Sequence, residues 1–155
     1  MHYKTYYNSP IGILEIRGTE QGISGVHFVE NKSDPDPAIP LPLKECVQQL
    51  NEYFTGDRKE FSLTLLLEGT NFQKKAWNQL IKIPYGKTAS YKDIAVAIKN
   101  KKAFRAVGSA NGRNNIAIII PCHRIIAHDG TLGGYGGGLW KKEWLLDHEQ
   151  KNRGF

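Results

Sequence analysis

Short runs of aromatic and β-branched residues near the N-terminus predict a short antiparallel sheet. Residues 3–8 and 11–17 are two such runs and are joined by the turn residues Ser9 and Pro10. A third segment of the same kind, residues 22–30, follows a second turn. We interpret the three segments as the strands of a meander.

The rest of the first half combines one helix with less regular segments. Residues 43–54 place apolar side chains three and four positions apart, which is helical spacing. Cys46 lies on the apolar face of this helix and is interpreted as a core residue, since free cysteines are often buried. Prolines make residues 33–42 an irregular loop, and residues 61–67 are predicted to form a further strand. We expect this half to serve as a scaffold.

Beyond Gly69 the pattern becomes helical. Two capping-box patterns, each with a polar side chain three residues after a Ser or Thr, predict helix starts. The two pairs are Thr70 with Gln73, before a helix reaching about Ile81, and Ser90 with Asp93, before a helix over 91–98. A third helix is predicted over 103–110, ended by Asn111 and Gly112, which tolerate positive φ.

The second and third of these helices are separated by about four residues, the spacing of a helix-turn-helix. Arg105 lies on the third helix, where most neighbours are small and would let the helix approach a groove closely. An ordinary packed hairpin with Arg105 exposed has the same spacing. The distribution of charge favours the DNA-binding interpretation.

That charge is concentrated in one half of the 155-residue chain, whose net charge is +6. Residues 1–69 hold 6 Lys and Arg against 10 Asp and Glu, whereas residues 70–155 hold 15 against 5. A half carrying a net +10 indicates a polyanionic partner, with nucleic acid as the leading candidate. A solvated basic surface without a partner is the alternative.

The composition of the chain limits the other classes of protein to which it could belong. Hydrophobic residues make up 40% of the chain, as in a globular protein, and no apolar run approaches the roughly 18 residues that span a membrane. The two cysteines do not form a disulfide framework, and no secretory signal is visible. We therefore expect a cytoplasmic protein without membrane association. No metal-ligand spacing or nucleotide fingerprint appears, so no metal and no cofactor are expected.

A reactive trio interrupts the most apolar stretch of the chain. Residues 116–120 are apolar and predict a buried strand or core segment, although a buried helix has the same signature. Pro121 should interrupt regular structure just before Cys122, His123 and Arg124. A thiol, an imidazole and a guanidinium on a kinked backbone form a candidate site.

The chemistry of this trio centres on Cys122. Thiolate is the nucleophilic form, an imidazole can take the thiol proton, and a carboxylate can orient the imidazole. Neighbours on an extended strand point to opposite faces, so the turn at Pro121 or a bridging water must connect Cys122 with His123. Glu149, on a predicted final helix over 139–150, is the candidate carboxylate. A core thiol and a zinc ligand are the alternatives for Cys122, and a nucleophile is favoured.

A glycine-rich stretch lies between the trio and the final helix. Gly133, Gly134 and residues 136–138 surround Tyr135. Glycines give the backbone freedom, and their bare N–H groups could face a ligand. The stretch lacks the Gly-Lys-Ser/Thr ending of a P-loop. A floppy surface loop is the alternative.

Together these residues carry a resemblance to the O6-alkylguanine-DNA alkyltransferases. The Pro-Cys-His-Arg sequence from Pro121 is similar to the active-site motif of that family. Further motifs at the family's spacings are Ser90-Tyr91, Arg105-Ala106-Val107-Gly108, Asn114, Gly-Tyr-Gly-Gly from Gly134, Lys-Glu-Trp-Leu-Leu from Lys142, and His148-Glu149. This similarity covers residues 72–149, and residues 1–69 resemble the family's variable domain only loosely.

The resemblance implies an α/β (α+β) fold in two domains. Residues 1–69 would form a small antiparallel-sheet domain of ribonuclease H-like type. Residues 70–155 would form a mostly helical, winged-helix-like domain with a helix-turn-helix that binds DNA. The implied activity is DNA repair by irreversible transfer of an alkyl group from O6 of guanine, and from O4 of thymine, to Cys122. The implied partner is double-stranded DNA containing O6-alkylguanine, bound by a monomer.

The resemblance also implies roles for individual residues. Arg105 would enter the base stack as the damaged nucleotide is flipped out, and Tyr91 would help to rotate the 3′ phosphate and donate to the departing guanine. Asn114 would bridge the helix-turn-helix to the active-site turn. The implied catalytic residues are Cys122, His123, Glu149, Tyr91 and Asn114; the DNA-binding residues are Arg105, Tyr91, Ser90, Ala103, Arg113 and Arg124; the base-holding residues are Tyr135, Gly136 and Gly137.

The chain departs from the family pattern at a few positions. Many relatives have serine where this chain has Gly136, so a roomier pocket is expected here. His27 has no cysteine partners, so the zinc ligands of some relatives are not supplied. Non-catalytic alkyltransferase-like proteins have tryptophan where this chain has Cys122. A lesion sensor or helix-turn-helix regulator with an inert cysteine, and a cysteine hydrolase with multiple turnovers, remain as alternatives.

Overall fold

A computed structural model describes residues 1–153 and divides the chain into two compact units. The first unit comprises Met1–Glu68 together with the short segment Asn115–Ala117. The second comprises Gly69–Asn114 and the chain from Ile118 onwards. The chain thus returns briefly to the first unit at Asn115–Ala117, so a single boundary near residue 69 does not separate the two units completely.

The first unit is built on the predicted meander. Strands β1 (Tyr3–Ser9), β2 (Gly12–Thr19) and β3 (Gly22–Val29) form an antiparallel sheet in that order, which confirms the three predicted strands. Helix α1 (Leu41–Phe54) contacts all three strands. It begins slightly earlier than its apolar spacing suggests because Pro42 suits the first helical turn, where an N–H is not needed. The core between them is lined by Leu14, Ile16, Ile23, Val26, Leu43, Cys46 and Leu50.

The strand predicted over 61–67 is wrong as a regular strand. A single parallel bridge joins Leu65 to Ile23, with the Ile23 N–H donating to the Thr64 carbonyl at 2.9 Å. Further along the same edge of β3, Val26 pairs with Ile116 of the returning segment instead. Because two short segments share one strand edge, neither gains enough ladder hydrogen bonds to become a strand.

The second unit is mostly helical. Helices α2 (Asn71–Ile81) and α3 (Tyr91–Ala97) start at the predicted capping boxes, and α5 (Leu139–Asn152) is the final helix. A two-residue parallel pair, β4 (Ala89–Ser90) with β5 (Ile125–Ile126), was not predicted. No helix among residues 1–153 is long and apolar enough to cross a membrane.

Helix α4 (Phe104–Gly112) corrects one predicted boundary. It continues through Asn111 and Gly112 and ends at Arg113, whose φ is −101° and whose N–H caps carbonyls of the last turn. The positive φ expected at the end of this helix is therefore absent there. The indole N–H of Trp77 donates to the Ala110 carbonyl at 2.8 Å, and so fixes α4 against α2. Helices α3 and α4 follow each other in the chain and contact each other, as the two helices of a helix-turn-helix do.

Candidate active site

The backbone at Cys122 makes two tight turns in succession. Pro121 has φ −80° and ψ 63°, and the Cys122 N–H donates to the Ile120 carbonyl at 2.7 Å, which defines an inverse γ-turn. A single 3₁₀ turn, Cys122–Arg124, follows immediately. The three reactive side chains thus leave a tight turn, not alternate faces of a strand.

The apolar stretch before this turn is buried but is not a regular strand. Ile118 has φ 71°, in the left-handed region that β-branched residues rarely enter. Such a conformation costs roughly 1–3 kcal/mol and persists only when surrounding packing imposes it. Ile118, Ile119 and Ile120 are all buried, and this burial offsets the cost. Of the two alternatives for residues 116–120, the buried core segment is confirmed and the strand is wrong, since the strained Ile118 breaks any ladder before Pro121.

Glu149 is the centre of the hydrogen-bond network behind the turn. Its buried carboxylate lies 2.6 Å from Nε2 of His123 and accepts from Nε of Arg124 at 2.8 Å. The Gly86 N–H also donates to it, at 3.2 Å. Burial alone would oppose ionisation, but the His123 ring and the Arg124 guanidinium outweigh it and hold the pKa of Glu149 well below its usual range. Glu149 is therefore a permanent carboxylate.

His123 is completely buried and is held in one orientation by that carboxylate. Burial lowers the pKa of His123, and the opposing attraction of Glu149 does not reverse this, so the ring is neutral at neutral pH. With Nε2–H donating to the carboxylate, Nδ1 carries no proton. Among residues 1–153, Nδ1 has no hydrogen-bond partner. The ring thus presents an unused base, and Cys122 does not bond to it directly.

Arg124 does not occupy the position expected of a DNA-contacting residue. It is only 6% exposed, and Nη1 donates to the Ile83 carbonyl at 2.8 Å while Nε and Nη2 bind Glu149. A guanidinium engaged in this way is not available to phosphate. Sequence adjacency to Cys122 did not reveal this, because the partner that neutralises Arg124 is 25 residues away.

Cys122 is buried, with 8% of the residue exposed. Burial raises the pKa of Cys122, against the opposing effects of a hydrogen bond with Asn114 and of the Lys142 charge. The same asparagine donates from Nδ2 to the Ile120 carbonyl at 2.9 Å, so it supports both the turn and the sulfur. A protonated resting thiol with a nearby base is the arrangement that nucleophilic cysteine chemistry requires.

Lys142 is a buried cation of the site, and the sequence analysis named it only as part of a motif. Its side chain is fully buried, and its ammonium donates to the carbonyls of Ile125 at 2.6 Å, of Gly134 at 3.4 Å and of Leu132. Burial lowers the pKa of Lys142, whereas the Cys122 sulfur has the opposite effect. A sequence signal did exist, because Lys142, Leu145 and Glu149 share the buried face of α5 at helical spacing.

Two tyrosines and the glycine-rich loop complete the surroundings of the sulfur. The Tyr91 ring, at the start of α3, lies against Gly108 on one side and Gly133 on the other. At Gly133, φ is +71° and an added Cβ would lie 3.0 Å from the Tyr91 hydroxyl, so glycine is required there. Burial, followed by the charge of Cys122, raises the pKa of both Tyr91 and Tyr135. Both phenols therefore stay protonated and can donate.

Both units match known families. Residues 2–67 match the ribonuclease-like domain of 6-O-methylguanine DNA methyltransferase, and residues 71–151 match the DNA binding domain of the same protein. The chain belongs to the 6-O-methylguanine DNA methyltransferase family. The family resemblance and the fold class predicted from the sequence are thereby confirmed.

Relatives within this methyltransferase family align over nearly the whole chain. The methylated-DNA–protein-cysteine methyltransferase of Methanosarcina barkeri is 45% identical over 159 residues, covering 97% of this chain and 98% of the relative. The crystal structure of the Mycobacterium tuberculosis O6-methylguanine methyltransferase has a TM-score of 0.87 at 43% identity, covering 98% and 94%. A structure of the protein OGT from the same organism in complex with DNA has a TM-score of 0.85 at 43% identity, covering 97% and 93%.

On the helix-turn-helix of this methyltransferase, the predicted DNA-binding residues have different environments. Arg105 and Arg113 are exposed on α4 and at its end. Ala103 is the residue before α4, and Ser90 uses its hydroxyl to accept the Asp93 N–H at 3.0 Å as a helix cap. The exposed arginines are thus available to an external anion, whereas Ser90 and Arg124 also have structural partners.

In the loop of the methyltransferase, Gly136 faces open space. A Cβ added at Gly136 would meet no heavy atom of the described residues within 4 Å, and the same holds at Gly134. The surrounding atoms therefore leave room for a side chain at either position. The Gly138 N–H donates to the Tyr135 carbonyl at 3.0 Å, and this hydrogen bond closes this part of the loop into a turn.

Replacing Lys142 by methionine should slow the reaction of Cys122 and move its rate profile to higher pH. The substitution removes the buried cation that favours thiolate and leaves three backbone carbonyls without their donor. We expect modification by iodoacetamide at neutral pH to fall on the order of tenfold. Lys141→Met is the matched control, since Lys141 lies over the Trp140 ring at 5.5 Å. Equal pH profiles for the two variants would show that Lys142 does not act on the sulfur.

Proposed function

We propose that this methyltransferase repairs DNA by moving an alkyl group from O6 of guanine to Sγ of Cys122. The observation that carries the proposal is the neutral His123 ring, oriented by Glu149 and with an unused Nδ1, in the same turn as a buried thiol. The family relatives are named for this activity.

The reaction begins with proton transfer from the thiol. A water bridging Sγ of Cys122 to Nδ1 of His123 carries the proton, because Nδ1 has no hydrogen-bond partner among the described residues. The resulting imidazolium is stabilised by the Glu149 carboxylate at 2.6 Å. Thiolate then attacks the alkyl carbon in line, a carbon–sulfur bond forms, and the bond from carbon to O6 breaks.

The departing guanine accepts a proton from Tyr91, whose phenol is protonated. Proton return from the imidazolium restores the phenol, so over the whole reaction the thiol hydrogen passes to guanine and the alkyl group replaces it on sulfur. A thioether offers no leaving group that these side chains could displace. Each molecule therefore reacts once, and the protein is a reagent that repair consumes.

The base is held by the loop around Tyr135. The phenol of Tyr135 and the backbone N–H groups of Gly136 and Gly137 are the groups proposed to bind the guanine edge. Open space at Gly136 leaves room for alkyl groups larger than methyl. Reaction with O4-alkylthymine is proposed on the same geometry, because it presents a similar alkyl–oxygen bond.

The partner is DNA, bound through the helix-turn-helix. The half of the chain that contains α3 and α4 carries a net +10 charge, and a relative of 43% identity has been crystallised with DNA. We propose that a monomer binds a duplex containing O6-alkylguanine and flips the damaged nucleotide out of the stack. Extrusion costs a few kcal/mol, less for a poorly paired base, and Arg105 fills the space that the nucleotide leaves.

Arg105→Ala should impair repair of duplex DNA far more than reaction with free O6-benzylguanine. The free base needs no extrusion, whereas the duplex loses the side chain that replaces the flipped nucleotide. We expect the rate on duplex DNA to fall on the order of a hundredfold. Arg113→Ala, at an exposed arginine that ends the same helix, should mainly reduce the salt dependence of binding. Comparable losses on both substrates would remove Arg105 from this role.

The direct test of the proposed function is the intact mass of the protein after incubation with a duplex carrying O6-methylguanine. Transfer adds one methyl group to the peptide containing Cys122.

A further inference from the structure

On the exposed face of α4, large side chains occur only in the first turn. Within Phe104–Gly112 the exposed residues are Phe104, Arg105, Ala106, Ser109 and Gly112. The last three are small, and a Cβ added at Gly112 would meet nothing within 4 Å among the described residues. A helix surface of this kind can approach a groove closely, and only Phe104 and Arg105 project from it.

Phe104 is exposed although phenylalanine is usually a core residue. Its side chain remains 36% exposed at the start of the helix that carries Arg105. Two cations flank the ring, with Nζ of Lys92 5.7 Å and Cζ of Arg105 5.9 Å from its centroid. Both distances are within the range of cation–π attraction, so the cations hold the ring in place from both helices of the motif.

We propose that Phe104 is an apolar wedge that enters the minor groove beside Arg105 and partly unstacks an adjacent base step. The inference rests on the proposed function, because it assigns a role within the same DNA complex. An aromatic ring between two cations is complementary to a groove, whose apolar base faces lie between rows of phosphate. Apolar side chains inserted at base steps are a known means of kinking DNA in the minor groove.

Arg105 and Phe104 would then have separate roles in extruding the nucleotide. Arg105 occupies the space of the flipped nucleotide, and Phe104 weakens the stacking that holds the neighbouring base. Lys92, freed from the ring, can pair with a neighbouring phosphate. This arrangement lowers the cost of extrusion for damaged DNA, and it makes the protein sensitive to how easily the flanking step unstacks.

The test measures unstacking directly in a complex that cannot react. Duplexes with 2-aminopurine on either side of O6-methylguanine are titrated with protein carrying Cys122→Ser. We expect an increase in 2-aminopurine fluorescence at one flanking position, because unstacking relieves its quenching. Adding Phe104→Ala should remove most of this increase and weaken binding about tenfold. Adding Phe104→Leu, which keeps an apolar side chain, should retain most of it.

Controls separate this proposal from loss of folding and from failure of the proposed function. Val96→Ala, at a 62% exposed apolar residue of α3, should give the parent signal. Melting temperatures show whether each variant is folded, and Phe104→Gln provides a polar side chain of similar length should the alanine variant unfold. A parent-level signal in folded Phe104→Ala or Phe104→Gln, or no signal in the parent at either position, overturns the wedge. Methyl transfer by the wild-type protein reports on the proposed function separately.

Discussion

Incubated with excess duplex carrying O6-methylguanine, the protein should gain the mass of one methyl group and no more. Cys122→Ala should gain none, because it lacks the sulfur that forms the thioether. The expected loss of transfer is complete, since the proposed reaction forms the thioether on this sulfur and the other free cysteine of the described residues, Cys46, is buried. Intact-mass spectrometry of the protein, followed by mapping of the modified peptide, measures both results.

Cys46 supplies the matched control for this experiment. It is the other free cysteine among the described residues, and burial raises its pKa to about 12. Cys46→Ala should therefore be methylated like the wild type. A protein that binds the lesion without a mass change would be a sensor with an inert cysteine. Repeated release of product without a stable adduct would identify a hydrolase.

Glu149→Gln should have the second-largest effect, because it reduces both stability and transfer. The substitution removes the charge that compensates buried Arg124 and orients His123. Breaking a buried ion pair from one side typically costs about 3–5 kcal/mol of unfolding free energy. Transfer should fall on the order of a hundredfold in molecules that remain folded. Urea unfolding and single-turnover rates measure the two effects separately.

Two further variants separate structure from chemistry at this carboxylate. Glu143→Gln, on the exposed side of the same helix, should change neither stability nor rate. Arg124→Met combined with Glu149→Met replaces both charges by apolar side chains of similar length, which can be nearly neutral for stability. We expect this double variant to recover stability without recovering transfer. Recovery of transfer as well would show that Glu149 acts only as a structural partner of Arg124.

Unfolding measurements at lower pH extend the same prediction. The pKa of His123 in the folded protein is below its usual 6.5, so the unfolded chain takes up a proton first as pH falls through that value. The pKa of Glu149 is also lowered, from 4.5, so the unfolded chain again binds the proton first. Both groups make stability decline on acidification, from below pH 6.5 and more steeply below 4.5. Glu149→Gln should lose the second, steeper part.

Local sequence patterns predicted the elements that are stabilised by interactions between residues close together in the chain. The strand-like runs on either side of Ser9 and Pro10 predicted β1 and β2, and the capping pairs beginning at Thr70 and Ser90 predicted the starts of α2 and α3. In each case the signal and the hydrogen bonds that satisfy it lie within a few residues. Residues 61–67 failed as a strand because Leu65 shares the edge of β3 with Ile116, and apolar composition does not encode which segment pairs with that edge. Residues 116–120 form a buried segment and not a strand, because the backbone at Ile118 has a positive φ that apolar composition does not encode either.

The candidate site likewise combines features that are visible in the sequence with contacts that form only in the tertiary structure. The sequence by itself determined the family and the adjacency of a thiol and an imidazole, because Pro121, Cys122 and His123 are consecutive residues. Only the tertiary structure decided that Glu149 reaches His123 across 26 residues, that the same carboxylate pairs with Arg124, and that the charge of buried Lys142 acts on the Cys122 thiol. Each of these contacts joins separate elements. Their protonation states follow from burial and charge, which chain order does not specify.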